Sequence, residues 1–297
     1  SQAIFPMEVA ASKAKIVNSS SNSGVALAPG DGNAEANANN AIAIGRAKAN
    51  ESGAIAIGSH AETTASNAIS LGWNALGSGD SSIAIGAAVT QNHTDIGVKS
   101  SGAYSLAVVS LSEASGEKSI AVGYSAKAKG EASISIGKDS KAEDQNAVAI
   151  GVDSHAKTID SIAVGNNAKA TGAVSTALGA RAEASGTSAV AVGINAKAKG
   201  YQATTLGFNA EANEKNALAL GYGATSSKEN AIALGSASTT TTNATSQGSV
   251  VIGGKTITWS GAPTVTGTGM QVSVGAVGKE RQIKNVAAGE VSANSTD

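Results

Sequence analysis

NAVAIGVDSHAKTIDSIAVG, residues 146–165, contains the same five-position phrase twice. The phrase runs small, aliphatic, small, aliphatic, glycine, and it closes at Gly151 and again at Gly165, 14 residues later. Two further small side chains, Ser154 and Ala156, follow Gly151 with a polar residue, His155, between them. Because side chains alternate between the two faces of a strand, both patterns predict short β-strands. The 14-residue repeat therefore predicts two strands joined by two turns.

The phrase recurs along most of the chain, and every interval from Gly123 to Gly235 is 14 residues. The phrases that close on glycine do so at Gly45, Gly58, Gly72, Gly86, Gly123, Gly137, Gly151, Gly165, Gly179, Gly193, Gly207, Gly221 and Gly235. The phrase SLAVV fits too, with Val109 at the glycine position, and weaker copies close at Ala28, Gly253 (SVVIG) and Gly275.

Length changes in the repeat fall in one turn. Measured backward from the next phrase, the small–polar–small strand keeps its place, as at Val98–Lys99–Ser100 and Thr242–Asn243–Ala244. Roughly nine residues (AAVTQNHTD, 87–95) are added after Gly86 and four after Gly235. Turns between stacked coils absorb insertions without breaking strand pairing, so we expect residues 87–95 to form a loop.

Composition excludes several classes of function. The chain of 297 residues has a net charge of −1 and no basic run, which argues against nucleic acid and against electrostatic membrane binding. It has no cysteine, and its three histidines are scattered, which gives no spacing for a metal site or a catalytic triad. We therefore expect no cofactor.

Stacked repeats predict a two-sided β-solenoid in which equivalent strands pair in parallel at about 4.8 Å per coil. In AVAIG, Val148 and Ile150 face one way while Ala147 and Ala149 face the other, and both sets are apolar. One face packs on the second sheet, and sister chains are expected to cover the other. We expect the aliphatic side chains inside the roll and the small ones against the sister chains.

The phrases NAVAIG (146–151), NAIAIG (40–45) and SSIAIG (81–86) resemble the head repeat of trimeric autotransporter adhesins of the YadA type. This resemblance implies an all-β fold: a left-handed parallel β-roll solenoid of 14-residue two-strand repeats, trimeric, with a C-terminal neck. The stretch MQVSVGAVGKERQIKNVAAG (270–289) is similar to the family's neck. Its matching residues are Arg281, Gln282, Asn285, Val286, Ala287, Ala288 and Gly289.

The resemblance implies a division of the chain into segments. Residues 1–23 are unassigned, 24–253 form the head repeats, 254–269 an insert, 270–291 the neck and 292–297 the start of a stalk or tail. Alternating residues Thr256 to Trp259 predict a hairpin-like structure in the insert. A stalk and a membrane anchor are expected beyond this sequence.

The family implies a non-catalytic adhesin on the bacterial cell surface, anchored to the outer membrane in the full-length protein. The implied partners are two sister chains and a host ligand. That ligand is a matrix protein (collagen, fibronectin or laminin) or a cell-surface receptor such as a CEACAM-type glycoprotein. Two alternatives remain open: a left-handed β-helix enzyme of the acyltransferase type, whose coil is longer, and a purely structural spacer.

Two features are candidate ligand-binding surfaces. The insert after Gly86 is one, because loops often carry function. The other is the row of polar residues that point outward from the small–polar–small strands, although such charges also protect a sheet from lateral association. The candidate residues are Gln91, Asn92, His93, Thr94, Lys127, Lys141, His155, Lys169 and Lys197.

Overall fold

A computed structural model describes residues 15–17, 23–28, 33–258, 265, 267 and 269–287. Every regular element within these ranges is a β-strand. The predicted stalk or tail at 292–297 and most of the unassigned segment 1–23 lie outside them. Two compact units divide the chain, residues 1–153 and 154–297.

In both units, strands that carry the five-position phrase alternate with two-residue strands; we call them phrase strands and short strands. The strands of the first unit are β1 (Lys15–Val17), β2 (Val25–Ala28), β3 (Glu35–Ala36), β4 (Ile42–Ile44), β5 (Lys48–Ala49), β6 (Ile55–Ile57), β7 (Glu62–Thr63), β8 (Ile69–Leu71), β9 (Leu76–Gly77), β10 (Ile83–Ile85), β11 (Val89–Gln91), β12 (Thr94–Ile96), β13 (Lys99–Ser100), β14 (Leu106–Val108), β15 (Glu113–Ala114), β16 (Ile120–Val122), β17 (Lys127–Ala128), β18 (Ile134–Ile136), β19 (Lys141–Ala142) and β20 (Val148–Ile150). Those of the second unit are β21 (His155–Ala156), β22 (Ile162–Val164), β23 (Lys169–Ala170), β24 (Thr176–Leu178), β25 (Glu183–Ala184), β26 (Val190–Val192), β27 (Lys197–Ala198), β28 (Thr204–Leu206), β29 (Glu211–Ala212), β30 (Leu218–Leu220), β31 (Thr225–Ser226), β32 (Ile232–Leu234), β33 (Ser249–Ile252), β34 (Lys255–Thr258) and β35 (Val272–Ser273).

Equivalent strands of successive coils pair in parallel and in register. In β18 and β20, for example, Ile134 lies opposite Val148 and Ile136 opposite Ile150. Short strands pair with short strands in the same way. At the N-terminal end, β1 instead runs antiparallel to β2. The predicted parallel β-solenoid with two strands per coil is confirmed.

The expected assignment of faces is wrong. In β20, Ala149 is fully buried, whereas Val148 is half-buried and Ile150 is 36% exposed. Short turns hold the two sheets of a coil so close together that methyl and hydroxymethyl groups fill the space between them. The fully buried side chains are accordingly Ala, Ser and Thr, together with one larger residue, Val98. The aliphatic side chains of the phrase strands lie on the outside of the roll.

Hydroxyl groups inside the roll connect its two sheets. Ser70 Oγ in β8 donates to the carbonyl of Glu62 in β7, at 2.8 Å, and Thr63 Oγ1 donates to the carbonyl of Ile55, at 2.9 Å. A buried hydroxyl costs free energy unless it is hydrogen-bonded, so these contacts explain how Ser70 and Thr63 substitute for alanine there.

The closing glycines have a structural reason. Gly193 has φ +129°, and a Cβ there would lie 2.5 Å from the carbonyl oxygen of Gly207 in the next coil. The other turn of a coil contains a left-handed residue, which explains asparagines such as Asn146 (φ 55°) and Asn216 (φ 55°).

Both insertions contain antiparallel hairpins, which was expected for the insert before the neck but not for residues 87–95. Residues 87–95 are inserted after Gly86 as expected, but they contain β11 and most of β12, which pair antiparallel. SVVIG is not a repeat, because Ser249–Ile252 form β33 and pair antiparallel with β34. The predicted boundary at 253/254 therefore lies in the turn of this second hairpin, and Trp259 lies outside the described residues.

The predicted four-residue insertion after Gly235 is wrong. Ser238 and Thr240 are fully buried at the ordinary spacing, and Thr239 pairs with Thr225, so this strand precedes Thr242–Asn243–Ala244. The next phrase strand, β35, pairs in parallel with β32. The extra residues thus lie in the other turn of the coil, between Thr240 and Gln271.

The narrow interior predicts that substitutions at two neighbouring positions differ strongly in their effect on the free energy of unfolding. Ala177→Leu places an isobutyl group between the sheets, and overpacking of this kind costs about 1–3 kcal/mol. Thr176→Leu, one residue earlier, points to the outside and is expected to leave the free energy of unfolding nearly unchanged. Urea denaturation of both variants measures the difference, and equal stability would contradict the assignment of faces.

Candidate functional site

The outward residues of the short strands form rows of mixed charge. In the first unit, Lys99 lies opposite Glu113, and Glu113 lies opposite Lys127. Opposite charges on adjacent strands stabilise a sheet by roughly 0.2–1 kcal/mol per pair. The alternation therefore has a structural explanation. It is interrupted by the uncharged Leu76, which lies opposite Lys99, and by Lys127, which lies directly opposite the like-charged Lys141.

The same alternation occurs in the second unit. His155 lies opposite Lys169, which lies opposite Glu183. Lys197 follows Glu183 and precedes Glu211. Lys169 and Lys197 are exposed, whereas His155 is half-buried rather than fully solvated. Lys169 and Lys197 are thus adjacent to the oppositely charged Glu183, whereas His155 lies beside the cationic Lys169.

The first hairpin brings four candidate residues together. Gln91 and Thr94 are cross-strand partners, and Asn92 (φ 48°) and His93 (φ 63°) form the two-residue turn between them. Two left-handed residues at this place are the signature of a type I′ turn, whose twist suits a hairpin. All four side chains are exposed at the tip.

Hydrogen bonds attach this hairpin to the roll. Asn74 Nδ2 donates to the carbonyl of Asp95, at 2.7 Å, and the amide of Ala88 donates to the carbonyl of Trp73, at 2.8 Å. Across the hairpin, Thr90 Oγ1 donates to Asp95 Oδ1, at 2.6 Å. The tip is therefore presented on an anchored support.

A cleft lies on each side of the hairpin. The first, about 240 Å³, is lined by His60, Glu62, Asn74, Ala75, Leu76, Thr94, Asp95, Ile96, Gly97 and Lys99. The second, about 300 Å³, is lined by Gln91, Ile96, Gly97, Lys99, Leu111, Ser112, Glu113, Tyr124, Ser125, Lys127 and Asp139. Gln91 and Lys127, predicted separately, thus share one cleft, and Thr94 lies in the other.

Sequence reasoning missed several residues of these clefts. Lys99 lines both of them, and its position in the repeat is the same as that of Lys127, so the 14-residue period could have identified it. Tyr124 directly follows a closing glycine, as Trp73 does, and both side chains are exposed. Asp139 lines the second cleft only because the coils are stacked, and no local sequence pattern indicates this.

The repeat pattern predicts that His60 occupies the outward position of a short strand, and this prediction is wrong. His60 lies in a turn with φ 58°, two residues before Glu62, which occupies the outward position. Its Nδ1 is 3.0 Å from Ser59 Oγ. Among the described residues, no group of three His, Cys, Asp or Glu side chains is arranged to hold a metal ion.

Two open grooves in the second unit contain the two candidate lysines of that unit. Lys197 lines one of about 440 Å³, and Lys169 lines one of about 360 Å³; Arg181 lines both. Arg181 Nε donates to Asn195 Oδ1, at 2.7 Å, and Asn195 Nδ2 donates to Asn209 Oδ1, at 3.0 Å. This internal hydrogen bonding, like the charge alternation, occupies polar groups that a ligand would otherwise meet.

Arg281, which the sequence predicts to lie in the neck, binds the last coil of the roll. Its Nη1 donates to the carbonyl of Val274, at 2.7 Å, and its Nη2 donates to the carbonyl of Ser236, at 2.6 Å. Gln282 and Asn285 are exposed, and Asn285 has φ 61°. Ala288 and Gly289 lie outside the described residues.

The phrase strands present an uncovered aliphatic face. In each three-residue phrase strand the first and third side chains are half-buried or exposed while the middle one is buried. Ile136 and Ile85 in the first unit, and Leu178 and Leu206 in the second, are among the exposed ones. We call these first and third residues the aliphatic face.

The repeat matches a known family. Matches to the YadA head domain repeat cover more than half of the chain, at residues 32–47, 49–75, 64–88, 114–140, 128–154, 142–168, 159–182, 184–210 and 212–238.

The chain belongs to the YadA head repeat family.

A similar solved structure is the crystal structure of the collagen-binding domain of the Yersinia adhesin YadA. It is 16% identical over 89% of this chain and 82% of that chain, with a TM-score of 0.20. No curated protein matches the chain.

The YadA head repeats are interrupted where the hairpins occur. The matched ranges leave out residues 89–113 and end at 238, so both hairpins lie outside the repeats. YadA heads are adhesin heads, and this family is in general not catalytic. No helix in the described ranges is long and apolar enough to cross a membrane.

Removal of the first hairpin should leave the YadA head fold intact. Deleting residues 87–95 restores 14-residue spacing and places Gly97 at the left-handed turn position. We expect an unchanged β-type circular dichroism spectrum and unfolding midpoint. Deleting residues 131–139, nine residues of regular coil, is the control and should unfold the chain. Loss of the β spectrum in the first variant would refute the interpretation of this hairpin as an addition to a complete roll.

Proposed function

We propose that three copies of this chain form the head of a bacterial surface adhesin, and that the head binds host proteins without catalysis. The observation that carries the proposal is the uncovered aliphatic face. It supports association between copies, and family membership supports adhesion.

The interior of the roll explains why the aliphatic face requires a partner. Alanine and serine fill the space between the sheets, so the largest apolar side chains contribute little to the core of a single chain. They recur in every coil of phrase strands, and monomeric proteins rarely expose apolar patches larger than a few hundred Å². Packing of identical aliphatic faces would bury them at about 25 cal/mol per Å².

Three-fold assembly also suits the proposed binding function. Each copy carries one first hairpin with its two clefts, so a trimer presents three equivalent surfaces. Simultaneous engagement of a repetitive or immobilised partner converts weak single contacts into strong attachment. Matrix proteins such as collagen, fibronectin and laminin, and receptors such as a CEACAM-type glycoprotein, are partners of this kind.

The first hairpin is the proposed recognition surface. It is a departure from the repeat, it is anchored to the roll, and it creates clefts lined by aromatic, amide and charged side chains. Most of the outward charges, by contrast, have oppositely charged neighbours and are explained by the sheet itself. We propose attachment to the outer membrane through segments of the full-length protein beyond this head.

Assembly through the aliphatic face predicts the mass of the protein in solution, and it predicts that substitutions on this face lower that mass. Light scattering should give about three times the 28.7 kDa mass of one chain. Leu178→Asp combined with Leu206→Asp should lower that mass, because burying unpaired carboxylates is costly. Lys169→Gln combined with Lys197→Gln changes the opposite sheet and should leave the mass unchanged. A monomeric wild-type protein would overturn the assembly.

Recognition at the first hairpin predicts selective loss of binding. We expect the wild-type trimer to bind at least one surface in a panel of immobilised collagen, fibronectin, laminin and CEACAM-type ectodomain. Gln91→Ala combined with Lys127→Ala should weaken that binding at least tenfold, while Lys197→Ala should not. Equal binding by the double variant would exclude the hairpin cleft, and binding to no surface would favour the spacer alternative.

A further inference from the structure

The second hairpin, β33–β34, is exposed along its whole length. Its strands are joined at Gly253 (φ 58°) and Gly254 (φ 80°), a two-residue connection with both φ angles positive. All eight strand residues, Ser249–Ile252 and Lys255–Thr258, are exposed. Nothing in the described part of the second unit buries either face.

The two faces of this hairpin differ in character. Val250 lies opposite Ile257. Ile252, two residues after Val250 on the same face, lies opposite Lys255, so this face carries three aliphatic side chains and one lysine. The other face carries Val251 opposite Thr256, together with the hydroxyl side chains of Ser249 and Thr258. Alternation of this kind is typical of a strand pair with one covered face and one solvated face.

A covered face is also required by energetics. An isolated two-stranded hairpin is marginally stable in water, and packing on another element is what stabilises it. The segment that carries β33–β34 is held at its base, where Gln271 Nε2 donates to the carbonyl of Thr242, at 2.6 Å. This contact fixes where the hairpin leaves the roll, but it covers none of the apolar side chains.

We propose that Val250, Ile252 and Ile257 dock on a second copy of this chain. A host ligand arrives only after folding, so it cannot be the cover that a hairpin needs in order to form. A second copy is present whenever the head assembles. After this hairpin the chain re-enters the roll with Met270 and Val272 exposed, and Val272 continues the aliphatic face. The docking rests on the proposed trimer and extends its contact beyond the repeats.

Single cysteines test this docking with a matched pair. The chain contains no cysteine, so an introduced thiol is the only reactive one. Ile252 is 62% exposed and Val251 is 65% exposed in the single chain, and they are neighbours on opposite faces. In the assembled protein, Ile252→Cys should react with a soluble thiol reagent at least tenfold more slowly than Val251→Cys. The difference should vanish in a dissociated protein that carries Leu178→Asp and Leu206→Asp.

Light scattering on the same samples separates the two proposals. A trimer in which both cysteines react equally fast would overturn the docking and leave the assembly intact. A monomeric wild-type protein would overturn both. Protection of Ile252→Cys that persists in the dissociated variant would show that another segment of the same chain covers the hairpin, and this too would overturn docking on a second copy.

Discussion

The narrow space between the two sheets of each coil is the constraint on which the structure depends. It admits methyl and hydroxymethyl groups, and Val98 is the largest side chain that is fully buried. Each alanine buries little apolar area, so the gain per coil within one chain is small compared with an ordinary core. The coils are also held together by regular parallel hydrogen bonds between their strands and by the close approach of successive turns, as at Gly193 and Gly207.

The same constraint explains why the large aliphatic side chains are outside. Leucine and isoleucine do not fit between the sheets, and they would be costly to expose permanently. The aliphatic face and the rows of charge therefore differ in whether the chain itself provides their partners. The charges have neighbours within the chain, as Glu113 has Lys99 and Lys127, whereas Leu178 and Leu206 are covered by nothing in the described part of their unit.

Changes in the length of the repeat are confined to the turns of the roll, and both insertions have the same type of structure. Each folds as an antiparallel hairpin with two left-handed residues at its turn. They differ in attachment and in chemistry. The first is hydrogen-bonded to the coil beside it and presents polar side chains such as Gln91 next to two clefts. The second is attached at its base and presents an apolar face. The polar side chains and clefts of the first hairpin suit recognition of a ligand, whereas the apolar face of the second hairpin suits contact between copies of the chain.

The sequence by itself determined the period, the strand positions, the parallel pairing and the outward direction of residues such as Lys127. These follow from local alternation and from the repeat of 14 residues, which neighbouring coils share. Only the tertiary structure decided which face of AVAIG is inside, because both faces are apolar and alternation does not distinguish them. It also decided between Ser238–Thr239–Thr240 and Thr242–Asn243–Ala244, two small–polar–small stretches of similar composition. The amide of Thr239 donates to the carbonyl of Gly275, at 2.9 Å, and this contact between distant segments selects the first. The second cleft at the first hairpin likewise joins Gln91 to Tyr124 and Asp139, which come together only when the coils are stacked.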